Sequence, residues 1–325
     1  MLRLIEYNSD YYEKWNKFII SSSNGTFFNR LDFLSYHKDK FKEGENHLIW
    51  LKGEAIFAVM PLFVGYQDGI KIATSPYGAS FGGPTYDSRL NLKYALEMVD
   101  TLIEYLMNQS VSKINLTLPP LYYSERSDQN IEFALLKAGF RICSTEVMSV
   151  VELKNTVEEI WTHNLSGRAR TSIRKINSEF EVFKDCDISD FYPILLEDKA
   201  RHSNSVPTHT LEQLTLLKCT FPNKIYVDIA VHKEGGKAGI CYFQPNKNVI
   251  LTFYMAQDNL GKGLDGKSLL VYEGMKDAVS KGIRYFDFGS STIGYNIQNI
   301  GVASFKESFG AKTRLKLTYS LIQND

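Results

Sequence analysis

The sequence shows no excess of charge of either sign. Its 325 residues include 37 Lys and Arg residues and 37 Asp and Glu residues, so the formal net charge is zero. A neutral chain has no general attraction for nucleic acid or for an anionic lipid surface. DNA is therefore not expected as a partner, and any site for a phosphorylated ligand has to be a local cluster of Lys and Arg.

Long apolar segments are also missing. The longest apolar stretch, Ala55 to Tyr66, is interrupted by Pro61 and is shorter than the roughly 20 residues that a membrane-spanning helix needs. We expect it to form a buried strand. The first residues turn polar and acidic before the apolar core of a signal peptide can form. We expect a cytoplasmic protein without a transmembrane segment, and a peripheral association with a membrane stays open.

Cysteine pairs and the common catalytic signatures are missing too. The four cysteines form no C-x-x-C pair, which predicts reduced thiols, and the histidine spacing matches no metal-ligand motif. The sequence contains no G-x-S-x-G, H-E-x-x-H, P-loop or dinucleotide-binding fingerprint. No bound metal is therefore expected, and the chemistry has to come from other side chains.

The order of the predicted elements indicates a mixed α and β (α+β) fold with an internal repeat. In each half, two predicted helices are each followed by a predicted strand. The helices are Leu92–Met107 and Asn130–Ala138 in the first half, and Leu269–Lys281 and Val302–Phe309 in the second. Gly139 closes the second helix of the first half, and Gly310 closes its counterpart. A chain of this length suits two domains of about 100–200 residues. We expect domains at residues 1–150 and 151–325.

The densest basic cluster runs from Gly167 to Lys175. Arg170 and Arg174 are four residues apart and share one face of a predicted helix, with Arg168 on a flanking face. Planar guanidinium groups suit phosphate because they donate two parallel hydrogen bonds and stay charged. A solvated basic helix that binds no ligand is an equally open alternative.

A second candidate site follows the strand predicted over Arg284 to Phe288. A loop of small residues that includes Ser290 and Ser291 follows this strand. Ligands often bind beyond the carboxyl ends of strands. Asp287 could orient an amine or act as a base, or it could be paired structurally.

The helix predicted over Val302 to Phe309 supplies a cation for that site. Phe305 and Phe309 share one face, which suits core packing. Lys306 lies on a neighbouring face and could reach the loop after Gly289, as a cation for a phosphate or for a developing oxyanion. A lysine in solvent is the alternative.

Together these motifs resemble the Fem-type peptidyltransferase family. The resemblance rests on the Arg-rich helix and on two C-terminal stretches, Tyr285 to Gly289 and Phe305 to Ala311, and it covers nearly the whole chain in element order. That family and its acetyltransferase-like relatives are built from two domains of the GCN5-related N-acetyltransferase (GNAT) fold. The resemblance implies two tandem GNAT-like domains, each a mostly antiparallel mixed sheet flanked by helices.

The resemblance also implies roles for individual residues. It makes the second domain the acyl-donor module, and it gives Lys306 a part in transition-state stabilisation or donor binding. Asp287, proposed above from its own position, is the other catalytic candidate. The substrate-binding candidates, among which the arginines are associated with phosphate, are Arg168, Arg170, Arg174, Phe305, Ser290, Ser291 and Tyr254.

The expected donor loop departs from the GNAT pattern. GNAT enzymes carry Gln/Arg-x-x-Gly-x-Gly/Ala before a helix, where backbone N–H groups cradle a pyrophosphate. Here the loop from Asp258 keeps Gly261 and Gly263 but begins with Asp, and the next helix is predicted to begin at Lys267. Both glycines and this lysine are candidates for binding the donor, and a flexible turn is the alternative.

These observations predict an N-acyltransferase without a tightly bound cofactor. The donor would be acyl-CoA or aminoacyl-tRNA, and the acceptor would be an amine on a nucleotide- or lipid-linked sugar or peptide of the cell envelope, in peptidoglycan or polysaccharide biosynthesis. The chain lacks the charged heptads of the helical arm found in some Fem-type enzymes, although tRNA stays open as a carrier. The non-enzymatic alternative is a GNAT-like module that binds a phosphorylated glycan or a protein partner. The oligomeric state is not predicted.

Overall fold

The computed structural model describes residues 1–203, 206–293 and 297–322. The chain forms two compact units, Met1–Glu146 together with Leu315–Asp325, and Val147–Arg314. The division into domains 1–150 and 151–325 stays a prediction. The compact units differ from it because the end of the chain groups with the first unit.

The helices and strands alternate along much of the chain. The strands are β1 Arg3–Glu6, β2 Leu48–Lys52, β3 Ala55–Met60, β4 Phe63–Gln67, β5 Ile70–Ser75, β6 Thr85–Tyr86, β7 Lys113–Thr117, β8 Arg141–Glu152, β9 Phe180–Phe183, β10 Ile225–His232, β11 Lys237–Phe243, β12 Val249–Gln257, β13 Tyr285–Ser290, β14 Thr292–Ile293, β15 Ile297–Gln298 and β16 Lys312–Ile322. The helices are α1 Tyr12–Ser21, α2 Leu31–Leu34, α3 Leu92–Asn108, α4 Asn130–Lys137, α5 Val157–Glu159, α6 Gly167–Ile176, α7 Ile188–Ser203, α8 Leu211–Thr220, α9 Gly266–Ser280 and α10 Ile300–Glu307.

The first unit contains two groups of paired strands. One has the order β1-β2-β3-β6, and the other has the order β4-β5-β7-β16-β8. The apolar run from Ala55 to Tyr66, expected to be one strand, is split between them at Pro61, because proline has no N–H to donate to a ladder. Within the second group β5 and β7 pair in parallel, and the connection between them contains helix α3. Parallel neighbours cannot be joined by a tight hairpin and need a long crossover connection, which is usually a helix.

The second unit is built in the same way. Its strands have the order β8-β13-β12-β11-β10-β9. Again one parallel pair, β12 and β13, is connected by a helix, α9, and the other pairs are antiparallel. Both units are therefore mostly antiparallel mixed sheets with helices, as expected from the sequence.

The last helix of each repeat ends with the same backbone geometry. After α4, the N–H of Gly139 donates to Leu136 O and that of Phe140 donates to Leu135 O. After α10, Gly310 donates to Glu307 O and Ala311 donates to Lys306 O in the same two ways. Both glycines have positive φ values, 95° and 86°, which this type of helix end requires. The two halves therefore match in local structure, and Lys306 occupies the position that Leu135 has in the first half.

Each unit has its own hydrophobic core. In the first, helices α3 and α4 cover strands β3, β5 and β7. In the second, α6, α9 and α10 bury apolar side chains against β10 to β13. Across the described ranges, no helix combines the length and hydropathy that crossing a lipid bilayer requires.

Candidate active site

Lys306 is buried in the second unit. The residue is 5% exposed, so it does not lie in solvent, and its ammonium group reaches the loop after Gly289. Nζ donates to the carbonyl oxygens of Gly289 at 3.1 Å and Ser290 at 2.8 Å, and to Ser291 Oγ at 3.0 Å. An ammonium group has three N–H donors, so these three acceptors satisfy it completely.

Helix α10 positions this lysine. The helix starts at Asn299, whose side chain accepts a hydrogen bond from the N–H of Val302 at 3.1 Å. Phe309 is 1% exposed, and its ring lies 5.3 Å from that of Phe305. The two rings hold one side of the helix end against the core, and Lys306, in the last turn, benefits from the negative end of the helix dipole.

Burial lowers the pKa of Lys306 from its usual 10.5 to about 8, against the opposing effect of the negative charge of Asp287. Removal of water disfavours the charged form of a buried amine. The ammonium therefore still predominates at neutral pH, and a modest rise in pH discharges it. Perturbed groups of this kind are frequent at functional sites.

Asp287 shapes the loop that surrounds Lys306. It is 0% exposed in β13, and its Oδ1 accepts a hydrogen bond from the N–H of Gly289 at 2.7 Å. Gly289 has a φ of +72°, a backbone conformation that favours glycine. Here the pairing of β13 with β8 shifts register between Asp287 and Ser290. The turn aims two successive carbonyl groups, those of Gly289 and Ser290, at the ammonium.

A buried pair of serines, Ser149 and Ser291, extends this cluster. Ser149 was not predicted from the sequence. Ser149 Oγ and Ser291 Oγ lie 2.9 Å apart, and the two residues are 4% and 1% exposed. Ser291 is also fixed by its backbone, which donates to Val147 O at 2.7 Å and accepts from Asn299 N at 2.8 Å. The available signal was a single small polar residue in the otherwise apolar run Met148 to Val151. Polar residues in a buried strand need a partner.

The parallel strands β12 and β13 pair over only three residue pairs, from Val249↔Tyr285 to Leu251↔Asp287. Strand β12 continues for six residues beyond Leu251. Its last residue, Gln257, is held by α7, because its N–H donates to Asp198 Oδ1 at 3.2 Å and its carbonyl oxygen accepts from Arg201 at 2.7 Å. The sequence places the loop from Ser290 to Thr292 after β13. The loop from Asp258 to Gly263, called the glycine loop below, follows β12.

The glycine loop has an internal anion of its own. Asp258 Oδ1 accepts hydrogen bonds from Gly261 N at 2.6 Å and Lys237 N at 3.0 Å. Its carboxylate therefore accepts the hydrogen bond of the Gly261 N–H group, which a pyrophosphate would otherwise accept. Gly261 is required for close packing, because a Cβ there would lie 2.4 Å from Lys237 O. Gly263 has a φ of +88° and open space around the position of a Cβ, so only its backbone conformation requires glycine.

Helix α9 begins one residue after Asp265, which has a φ of 62° and makes no side-chain cap hydrogen bond to the helix backbone. Its carboxylate instead accepts hydrogen bonds from Ser268 Oγ at 2.6 Å and from the hydroxyl of Ser172 in α6. Lys267 stands in the first turn, and burial lowers its pKa, against the attraction of Asp198. The contact from Ser172 ties the Arg-rich helix to this helix start.

The three arginines of α6 divide between two faces. Arg170 donates to backbone carbonyls, at 2.9 Å to Leu165 O and at 3.2 Å to Trp161 O. Arg174 lies over the ring of Trp161 at 5.1 Å. Arg168 is exposed and is four residues before Ser172, so it shares the face that meets the start of α9. Phosphate binding by any of them stays a prediction, and Arg168 has the most suitable placement.

Tyr254 and Phe305 have contacts within the protein. The hydroxyl of Tyr254 lies 2.6 Å from Thr208 Oγ1 and 2.9 Å from His209 Nδ1, and the residue is 8% exposed. Phe305 is partly buried against the core. Their roles in substrate binding stay predictions. In the ranges that the structure describes, no group of three or more His, Cys, Asp and Glu residues is arranged to hold a metal ion.

Comparisons with known proteins agree on the fold. No protein-family model matches the sequence, and no curated protein matches it significantly. Among solved structures, FemX matches with a TM-score of 0.74 at 11% identity, over 99% of this chain and 98% of that chain. A tandem GNAT protein from the clavulanic acid biosynthesis pathway matches with a TM-score of 0.57 at 10% identity, over 100% and 99%.

A third solved structure, L-PGS from Bacillus licheniformis, matches with a TM-score of 0.57 at 12% identity, over 96% of this chain and 91% of that chain. Each match extends over nearly the full length of both chains. The chain therefore has the tandem GNAT fold that FemX also has. This confirms the fold and the structural resemblance expected from the sequence.

Proposed function

We propose that the protein is an N-acyltransferase that moves an acyl or aminoacyl group from acyl-CoA or aminoacyl-tRNA to an amine. The observation that carries this proposal is the buried Lys306 ammonium, held by three acceptors at the end of β13. A fold shared with FemX and a tandem GNAT protein supports it. A buried cation costs free energy even when its hydrogen bonds are satisfied, and a developing oxyanion is a charge that it could stabilise.

The proposed step is a direct displacement. The lone pair of a neutral amine attacks the carbonyl carbon of the donor, and the new C–N bond replaces a C–S bond of a thioester or a C–O bond of an ester. The thiolate or the ribose oxygen leaves with the electron pair, and the proton lost by the amine neutralises it. This path needs no covalent enzyme intermediate, so binding and orientation provide most of the acceleration.

Lys306 acts on this step through its charge and through the loop. All three of its N–H groups are used within the protein, so it stabilises the oxyanion through space. It also holds the segment from Gly289 to Ser291 in place. Asp287, bonded to the N–H of Gly289, fixes the same turn. We therefore propose that Lys306 and Asp287 promote catalysis and that Ser291 positions Lys306.

The donor would bind between the glycine loop and the carboxyl end of β12. Gly263, Lys267 and Arg168 are proposed to contact its phosphates, because the start of α9 has no side-chain cap and α6 meets it there. The acceptor is proposed to be an amine on a nucleotide- or lipid-linked sugar or peptide of the cell envelope, used at a cytoplasmic site.

Titration calorimetry with two donors tests this proposal. Acetyl-CoA and alanyl-tRNA are titrated separately into the full chain, and one of them is expected to bind at micromolar concentration. Lys267→Met should weaken that binding about ten-fold by removing a charge-assisted contact. Lys154→Met, which changes an exposed lysine in the turn after β8, is the matched control. Failure of both donors to bind would contradict an acyltransferase.

One observation favours the non-catalytic alternative, a module that binds a phosphorylated glycan or a protein partner. The carboxylate of Asp258 already accepts the hydrogen bond of Gly261 N–H, and a second anion at that position would be repelled. Asp258→Asn separates the two proposals. An acyltransferase that retains its donor site should bind the donor at least as tightly in this variant, whereas a module that has lost the site should bind neither donor in either form.

A further inference from the structure

A cavity of about 690 Å³ lies in the second unit, and none of the residues assigned above to acyl transfer lines it. Its floor is formed by Tyr226 and Asp228 of β10 and by Gln244 after β11. Its rim is formed by the segment after β9, the segment before β10 and the last turn of α9. The volume is in the range of sites for small molecules.

The floor of this cavity contains a buried hydroxyl that needs a partner. Tyr226 is 7% exposed, and its hydroxyl finds no hydrogen-bond partner within the described part of the chain. The ring stacks on Tyr242 at 5.1 Å, and the ammonium of Lys281 lies 4.5 Å from its centroid. Burial, followed by the charges of Asp228 and Asp277, raises the pKa of Tyr226. It is therefore a neutral O–H group at physiological pH, and buried groups of this kind normally donate a hydrogen bond.

The carboxylates around the cavity are already paired. Lys184 donates to Asp228 at 3.1 Å and to Asp277 at 2.7 Å. Asp185 accepts from Lys218 at 2.7 Å. These pairs leave the carboxylates with little capacity to attract a second cation.

Two lysines of the rim have no such partner. Neither Lys224 nor Lys281 has a carboxylate within ion-pair distance in the ranges described by the structure. Burial and the charge of Lys281 lower the pKa of Lys224. Two like charges that repel one another beside an orphan O–H group are suited to an anion, because an anion relieves the repulsion and accepts the hydrogen bond.

We propose that this cavity binds a small phosphorylated sugar, with the phosphate between Lys224 and Lys281 and accepting a hydrogen bond from Tyr226. A phosphate provides the double charge and several acceptor oxygens that two ammonium groups and a phenol can engage. The remaining lining includes the polar side chains of Asn223, Gln244 and Ser280, which suit the hydroxyl groups of a sugar. The site is separate from the proposed acyl-transfer residues, so it would serve as a second, regulatory or substrate-selecting site.

Titration calorimetry on the full chain tests this inference with glucose 6-phosphate, inorganic phosphate and glucose as probes. Glucose 6-phosphate is expected to bind most tightly, inorganic phosphate more weakly, and glucose not measurably. Lys224→Gln and Lys281→Gln should each weaken binding of glucose 6-phosphate about ten-fold or more, and Tyr226→Phe about five-fold. Lys154→Gln and Tyr272→Phe, which change groups that do not line the cavity, should leave it unchanged.

Three results would overturn the inference. Absence of binding by glucose 6-phosphate at millimolar concentration would exclude the ligand class. Equal binding by wild type, Lys224→Gln and Lys281→Gln would show that the phosphate binds elsewhere. Equal affinities for glucose 6-phosphate and inorganic phosphate would remove the sugar from the proposal. Circular dichroism of each variant confirms that a loss of binding is not a loss of fold.

Discussion

The two repeats of the chain place different side chains at one equivalent position. Leu135 in α4 and Lys306 in α10 each precede a closing glycine by four residues, and the carbonyl of each accepts the same helix-ending hydrogen bond. Leu135 is 1% exposed in an apolar core, whereas Lys306 is 5% exposed among three acceptors. The fold at this position therefore accepts an apolar residue, and the lysine is not required to build it.

The two positions differ in the cost of burying their side chains. A buried ammonium is disfavoured relative to an apolar residue of similar size even when it is well paired. The second unit provides three acceptors for it, and one of them, Ser291 Oγ, lies 2.9 Å from Ser149 Oγ. We infer that the charge of Lys306 serves the proposed acyl transfer.

The largest expected effect comes from exchanging the residue in the first repeat. Leu135→Lys would place an ammonium in an apolar core without the three acceptors that Lys306 has, and we expect it to lower the free energy of unfolding by about 4 kcal/mol. Urea denaturation at pH 7 measures this. Leu135→Met, which keeps the volume, should cost less than about 1.5 kcal/mol. Similar values for the two variants would show that the two positions are not different environments.

The next effect is the pH dependence that Lys306 gives to stability. Its pKa is about 8 in the folded chain and 10.5 in its usual state, so between these values the unfolded chain binds more protons. The free energy of unfolding of the wild type should therefore rise with pH relative to that of Lys306→Met, by roughly 2–3 kcal/mol from pH 7 to pH 10. Urea denaturation of both proteins across this range measures the difference, in which tyrosine ionisation cancels. A flat difference would contradict a lowered pKa.

The smallest effect sharpens the role of the serine pair. Ser291→Ala removes one acceptor of Lys306, and we expect it to lower the pKa of Lys306 further and to cost about 1 kcal/mol of unfolding free energy. Nuclear magnetic resonance titration of the lysine side chains measures the pKa. Ser308→Ala is the matched control, because the Ser308 hydroxyl donates to Phe305 O and does not touch Lys306. An unchanged pKa in Ser291→Ala would remove Ser291 from the site.

Much of the fold was predictable because its signals are local. Helical periodicity and closing glycines such as Gly139 and Gly310 are features of short segments, and they located the repeated elements. The prediction of one strand over Ala55 to Tyr66 was wrong, because Pro61 divides the run between two groups of strands. Which strands pair depends on contacts far apart in sequence, and periodicity carries no information about them.

The site was predictable only in part, for a similar reason. Lys306, Asp287 and Ser291 lie near one another in sequence, and their proximity was expected. Ser149 comes from a distant strand, and only the structure brings it to Ser291. The occupation of Gly261 N–H by Asp258 was not expected either, because the sequence showed a changed residue and not where its carboxylate points.

The most direct test of the central claim compares acyl transfer by wild type and Lys306→Met, using the donor that calorimetry identifies and an amine acceptor. If the charge of the lysine serves the transfer step, the rate should fall about a thousand-fold, while circular dichroism at pH 7 shows a folded variant. Lys137→Met, in the last turn of α4, should leave the rate unchanged. A folded Lys306→Met protein with the wild-type rate would contradict the account.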